Sequence, residues 1–138
     1  MSNIESVLAT YNLLSSNSAL TALVGTRIFP QRAPNDANPT CVIYTEISVT
    51  PLGIVQGFAK NESARMQIDC YGATQAEAGA ISRAVRNAME PNLPGTFGGV
   101  NVQTIELDSR ISNIDDNADN EGYYRITMDF LIYYKRNS

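Results

Sequence analysis

The sequence predicts an α+β fold. A mixed or antiparallel sheet of about four to five strands packs against two main helices, with a long arm or loop near residues 48–63. Three observations carry that prediction. From Arg65 to Tyr71 the residues alternate, with Met66, Ile68 and Cys70 on one face and Arg65, Gln67, Asp69 and Tyr71 on the other. That two-residue period belongs to a strand with one buried face. Gly72 breaks it, and Thr74 stands three residues before Glu77 in a capping box that satisfies backbone donors at a helix start. The third is a run near the end, where Tyr124, Ile126, Met128, Phe130, Ile132 and Tyr134 alternate with Arg125, Thr127, Asp129, Leu131 and Tyr133.

The remaining elements follow in chain order. Ser2 and Glu5 form another capping box, after which Ile4, Val7, Leu8 and Tyr11 share one helical face that Leu13 and Leu14 widen. Ser15, Ser16 and Asn17 end that helix. A shorter helical turn runs from Ala19 to Val24, with Gly25 placed as its C-terminal cap. Both helices are expected to cover the sheet. Thr26 to Phe29 reads as a short strand stopped by Pro30, and the proline-rich stretch to Pro39 as an irregular connection. Thr40 to Ile47 is rich in Val, Ile, Thr and Tyr, with apolar side chains on both faces, which predicts a central strand.

Ser48 to Ser63 reads as a long connection broken by Pro51, Gly53 and Gly57, yet it carries Leu52, Ile54, Val55 and Phe58. These four either fold back on the core or form an arm that packs against a neighbouring subunit. In the main helix Ala78, Ile81, Val85 and Ala88 make an apolar stripe, Arg83 and Arg86 lie toward the negative end of the dipole, and Pro91 stops it. Pro91 to Gly99 reads as a loop. Val100 to Leu107 reads as a strand whose apolar phase shifts from Val100 and Val102 to Ile105 and Leu107, as a β-bulge produces. Ser109 to Gly122 is expected to join the last two strands.

Composition bounds the chemistry. The chain, residues 1–138, is expected to form a single domain burying roughly two thirds of its unfolded surface. A formal net charge of -4 argues against nucleic acid as a directly gripped partner. The absence of a signal peptide or long apolar span predicts a soluble protein without a membrane partner. The chain has no histidine, which removes Ser-His-Asp and Cys-His catalysis and histidine metal sites. Cys41 and Cys70 both fall in apolar strand patterns and are expected to be buried free thiols. Asp115, Asn117 and Asp119 have the spacing that opens an EF-hand loop, but Asn120 replaces the required glycine and Ile126 the bidentate glutamate. Asp115, Asp116, Asp119 and Glu121 therefore read as an acidic, solvated turn. No phosphate-binding loop is present, since Gly95, Gly98 and Gly99 do not lead from a strand into a helix. No catalytic residue, metal site or cofactor is predicted.

The order of signatures resembles the tail terminator and tail completion proteins of long-tailed bacteriophages and phage-like particles. Leu20 to Gly25 leads into Arg27-Ile28-Phe29-Pro30, and Pro39 precedes Val42-Ile43-Tyr44. Arg65-Met66-Gln67-Ile68-Asp69-Cys70-Tyr71 stands for that family's strand of form R-x-Q-I-D-x-Y, followed by the Ala-rich helix containing Glu77 and Ala78. An acidic Asp115-Asp116 turn, then Tyr123, Tyr124, Arg125 and the strand from Asp129 to Tyr134, close the match. What the resemblance implies is a structural, non-enzymatic virion protein at the tail–neck junction, assembled in the host cytoplasm. Such proteins form a ring, usually hexameric, that caps the tail tube and stops its polymerisation. The ring meets the head connector, adaptor or stopper and leaves a channel through which DNA passes without specific binding. Under this reading Leu52, Ile54, Val55 and Phe58 are subunit-interface candidates, and Asp115, Asp116, Asp119 and Glu121 face the lumen or a partner. Another neck completion protein is the nearest alternative, and a small ligand-binding α+β domain the more distant one.

Overall fold

The computed structural model describes residues 4–31, 40–51, 61–115 and 123–135. Among the described residues three helices, α1 (Glu5–Ser15), α2 (Ser18–Val24) and α3 (Gln75–Ala88), accompany six strands. These are β1 (Ile28–Pro30), β2 (Cys41–Pro51), β3 (Asn61–Gly72), β4 (Gly95–Phe97), β5 (Val100–Asp115) and β6 (Tyr123–Lys135). They form one curled sheet in the order β1-β2-β3-β6-β5-β4. The β1–β2 pair is parallel and the others antiparallel, so the sheet is mixed. The α+β class holds, with six strands where about four to five were expected.

The extra strand and the extra length lie where the sequence is polar or glycine-rich. β4 falls inside the expected Pro91–Gly99 loop and returns into β5 through Gly98 and Gly99, at φ 58° and 79°. Positive φ at both central positions is what a two-residue hairpin of the type I′ class requires. β2 runs on to Pro51 and β3 starts at Asn61, so the ends of the expected 48–63 connection are a paired ladder, Pro51 opposite Glu62. β5 likewise continues through Ser109 to Asp115, opposite Tyr123. The phase change in β5 is a register shift between Val102 and Thr104, with another between Leu107 and Ser109.

The three helices pack on one face of the sheet. There Ala64, Met66, Ile68 and Cys70 of β3 and Ile126, Met128, Phe130, Ile132 and Tyr134 of β6 are buried. Ala78, Ile81, Val85 and Ala88 of α3 meet them, and the small residues let the helix lie close to β3 and β6. Each large side chain in this layer contributes about 1.5–3 kcal/mol of transfer free energy. Gly72 is fixed by the same proximity, because a Cβ there would stand 2.5 Å from the backbone nitrogen of Ala78. No helix among the described residues is long and apolar enough to cross a membrane.

The capping box of α3 forms, with Thr74 Oγ1 accepting from the Glu77 N–H at 3.1 Å. The Glu77 carboxylate reaches back one residue beyond the cap, accepting from the Ala73 N–H at 2.9 Å and from Thr40 Oγ1 at 2.5 Å. These bonds, the one from Thr40 foremost, hold its carboxyl below the usual carboxylate range. A group with a depressed folded pKa adds stability above its unfolded pKa, and that stability is lost as pH falls through the folded value. Glu77→Gln is therefore expected to lower Tm at neutral pH and to flatten the acid side of the Tm-against-pH curve. An acid limb identical to that of the unaltered protein refutes this role. At α1, Ile4 occupies the cap position, without a side-chain cap hydrogen bond, and Glu5 is the first helical residue, while Ser2 of the expected Ser2–Glu5 box lies outside the described residues.

Candidate functional site

Helix α1 has two apolar faces, and the core takes the less obvious one. Ala9, Leu13 and Leu14 are buried together with the hydroxyl residues Ser6 and Thr10. The face expected to cover the sheet points elsewhere: Ile4 is 46% and Tyr11 50% exposed, while Val7 and Leu8 touch only the margin of the core. This corrects the expectation for that stripe. The four residues form one wall of a groove of about 550 Å³, closed by Pro30 at the end of β1, by Gln31 after it, and by Tyr44 and Glu46 of β2.

The groove is held rigid from below. Gln31 adopts φ 69°, unusual for a residue with a side chain, and its N–H donates to the Tyr44 carbonyl at 2.9 Å. Arg27 Nε donates to the Thr40 carbonyl at 2.7 Å, joining the approaches to β1 and β2. Ser6 Oγ donates to the Glu46 carboxylate, which ties α1 to β2. The Tyr11 and Tyr44 rings lie 6.4 Å apart at 35°. Burial, and then the neighbouring Tyr11, push the Tyr44 hydroxyl up to about 12, so it stays neutral at physiological pH. Apolar walls, two aromatic rings and one carboxylate suit an apolar side chain better than a reacting substrate.

The opposite face of the sheet carries no helix among the described residues. Arg65, Gln67, Asp69, Arg125, Thr127 and Asp129 are half-buried there. Arg65 spans to Asp108 Oδ2 at 2.9 Å and Asp129 Oδ2 at 3.3 Å, and Thr127 Oγ1 donates to Asp69 Oδ1 at 2.5 Å. With its partners 26% and 44% exposed, the Arg65 pairs fix strand register more than they add stability. No cluster of metal-binding side chains occurs among the described residues. The expected free thiols are present and buried. Burial pushes Cys41 up to about 11, against the opposing influence of Arg27, and raises Cys70 further, so neither supplies a thiolate at neutral pH.

The interface candidates Leu52, Ile54, Val55 and Phe58 lie outside the described residues, as do Asp116, Asp119 and Glu121. Asp115 is the last residue of β5. The hairpin that leads to residues 52–60 is described on both sides, and from Ile47 to Pro51 every residue of β2 is exposed, Ile47 at 49% and Val49 at 37%.

A profile of the tail completion protein gp17 family matches residues 9–135, nearly the whole chain. The chain belongs to the tail completion protein gp17 family. The resemblance read from the order of motifs is borne out by that match. As a tail completion protein it has a structural role in the bacteriophage virion. Its fold is similar to that of a chain in the virion of a native gene transfer agent particle, with TM-score 0.74 and 18% identity over 98% of this chain and 100% of that one. The structure of the bacteriophage SPP1 gp17 protein is also matched, with TM-score 0.48 and 20% identity over 99% of this chain and 98% of that one. No curated protein matches.

For this tail completion protein, sequence reasoning missed the groove. Tyr44 and Glu46 were assigned to a strand without a role, and Pro30 served only as a strand stop. The available signal was in α1: Ile4, Val7, Leu8 and Tyr11 are spaced like Ser6, Ala9, Thr10, Leu13 and Leu14, but half a turn away. A short helix with apolar residues on both sides has one more face than a single sheet can bury.

Proposed function

We propose that this chain is the tail terminator: copies close into a hexameric ring that caps the tail tube at full length and stops its polymerisation. The other face of the ring joins the head connector or stopper, and DNA passes through the central channel without specific binding. Assembly takes place in the host cytoplasm, and the ring ends at the tail–neck junction. The observation that carries this reading is the apolar groove of α1, which leaves Ile4 and Tyr11 exposed on a folded subunit. Patches of that kind mark surfaces that bury on assembly.

The occupant is the apolar segment of a second copy. Leu52, Ile54, Val55 and Phe58 follow the exposed end of β2, and they match the groove in chemistry. An arm on one side and a groove on the other make a heterologous interface, which closes into a ring when the rotation per subunit allows. The net charge of -4 favours passage of DNA, because an acidic lining repels phosphates and releases no counterions.

Native mass spectrometry over a rising concentration series tests the ring. A hexamer that accumulates without an open ladder of larger species is expected. A limiting dimer, or an unbounded series of oligomers, overturns closure.

A further inference from the structure

A second groove runs between the outer side of α3 and strands β5 and β6. It consists of two adjoining cavities of about 670 and 160 Å³ that share Gly79 and Arg110 in their linings. A Cβ at Gly79 would meet open space, with nothing within 4 Å beyond its own stretch of helix, so the helix wall is low at that point. Arg83 and Arg86 line it from α3 and Arg110 from β5. These are three of the ten Lys and Arg residues in the chain, gathered in one groove of an otherwise acidic protein. No carboxylate lines it among the described residues. Arg83, Arg86 and Arg110 are exposed, and none forms a salt bridge among the described residues.

We infer that this groove receives the acidic β5–β6 connection of a second copy, placing its Asp115, Asp116, Asp119 and Glu121 against the three arginines. The inference rests on the ring reading and adds a second, polar contact to it. Charge complementarity selects the occupant: four carboxylates close together in the sequence meet three cations close together in space. The arginine fork pairs with carboxylates in a defined geometry, which fixes the register between subunits. The two patches are different surfaces of one chain, as a head-to-tail contact requires. Covering the arginines also keeps them from DNA, since exposed arginines would hold phosphates by counterion release.

A charge swap tests this. One variant carries Arg83→Glu with Arg86→Glu, and the other carries Asp116→Lys with Asp119→Lys. Each alone sets like charges across the contact and is expected to weaken self-association at least about tenfold. Mixed in equal amounts they are expected to restore assembly, because each groove then meets a turn of opposite charge. That rescue also shows that both variants are folded. The milder Arg83→Gln with Arg86→Gln is expected to weaken association and to reduce its dependence on salt. Normal rings from either single swap overturn the contact while leaving the ring reading intact. Weakened variants that fail to rescue each other overturn it as well, since the turn then occupies its own subunit's groove or none. Loss of duplex DNA binding in the arginine variants, with association unchanged, makes the groove a phosphate site and overturns the proposal. A chain without either substitution that never associates overturns both the contact and the ring.

Discussion

Phe130→Ala is expected to lower the free energy of unfolding by about 3–5 kcal/mol. Phe130 is 1% exposed on β6, which lies between β3 and β5, and it stands in register with Met66 on one side and Leu107 on the other. Its ring fills the layer between sheet and helices, where neighbours on two strands and under α3 cannot all collapse into the void. Domains of this size are stable by about 5–15 kcal/mol, so the loss is a large fraction of the whole. Leu131→Ala, one residue on and half-buried on the helix-free face, is expected to cost under about 1 kcal/mol. Urea unfolding followed by far-ultraviolet circular dichroism separates the two. Equal losses would mean that the helix-covered face is not the core.

Tyr11→Asp is expected to abolish self-association while leaving Tm almost unchanged. Tyr11 is 50% exposed, so a charge there meets water in the monomer and an apolar partner in the assembly. Phe58→Asp is expected to do the same from the opposite side of the contact. Central aromatic anchors of this kind are worth about 2–4 kcal/mol per interface. Because both changes remove one contact, their combined cost should fall short of the sum of the two, the signature of residues that touch. Sedimentation velocity measures all three variants. Full additivity would place the two residues in separate contacts, and intact rings from either single variant would remove that residue from the interface.

The elements that the sequence announced most clearly are those with one dry face and one wet face. β3, α3 and β6 show clean periods of two or 3.6 residues, because each buries one side against a continuous core. β5 beyond Val102 has no fully buried residue through Ser112, so its apolar alternation fades after Leu107 and Ser109 to Asp115 reads as a connection. β2 past Glu46 is hidden for the same reason: Ile47 to Pro51 are all exposed. Gly98-Gly99 was the hairpin signal for β4, overlooked among nearby prolines. In α1, apolarity was legible but direction was not. Ser6 and Thr10 go inward and Tyr11 outward, a choice that follows from the sheet against which α1 docks and not from the helix itself. The groove combines residues from α1, the end of β1 and the middle of β2, a proximity created by the β1–β2 pairing.

Electron microscopy of the purified protein mixed with tail tubes of the same phage tests the central claim most directly. The predicted result is tubes carrying one ring of extra density at the growing end, with elongation halted once the ring is seated. Tubes that keep lengthening with bare ends, or density found only on isolated head connectors, would contradict it.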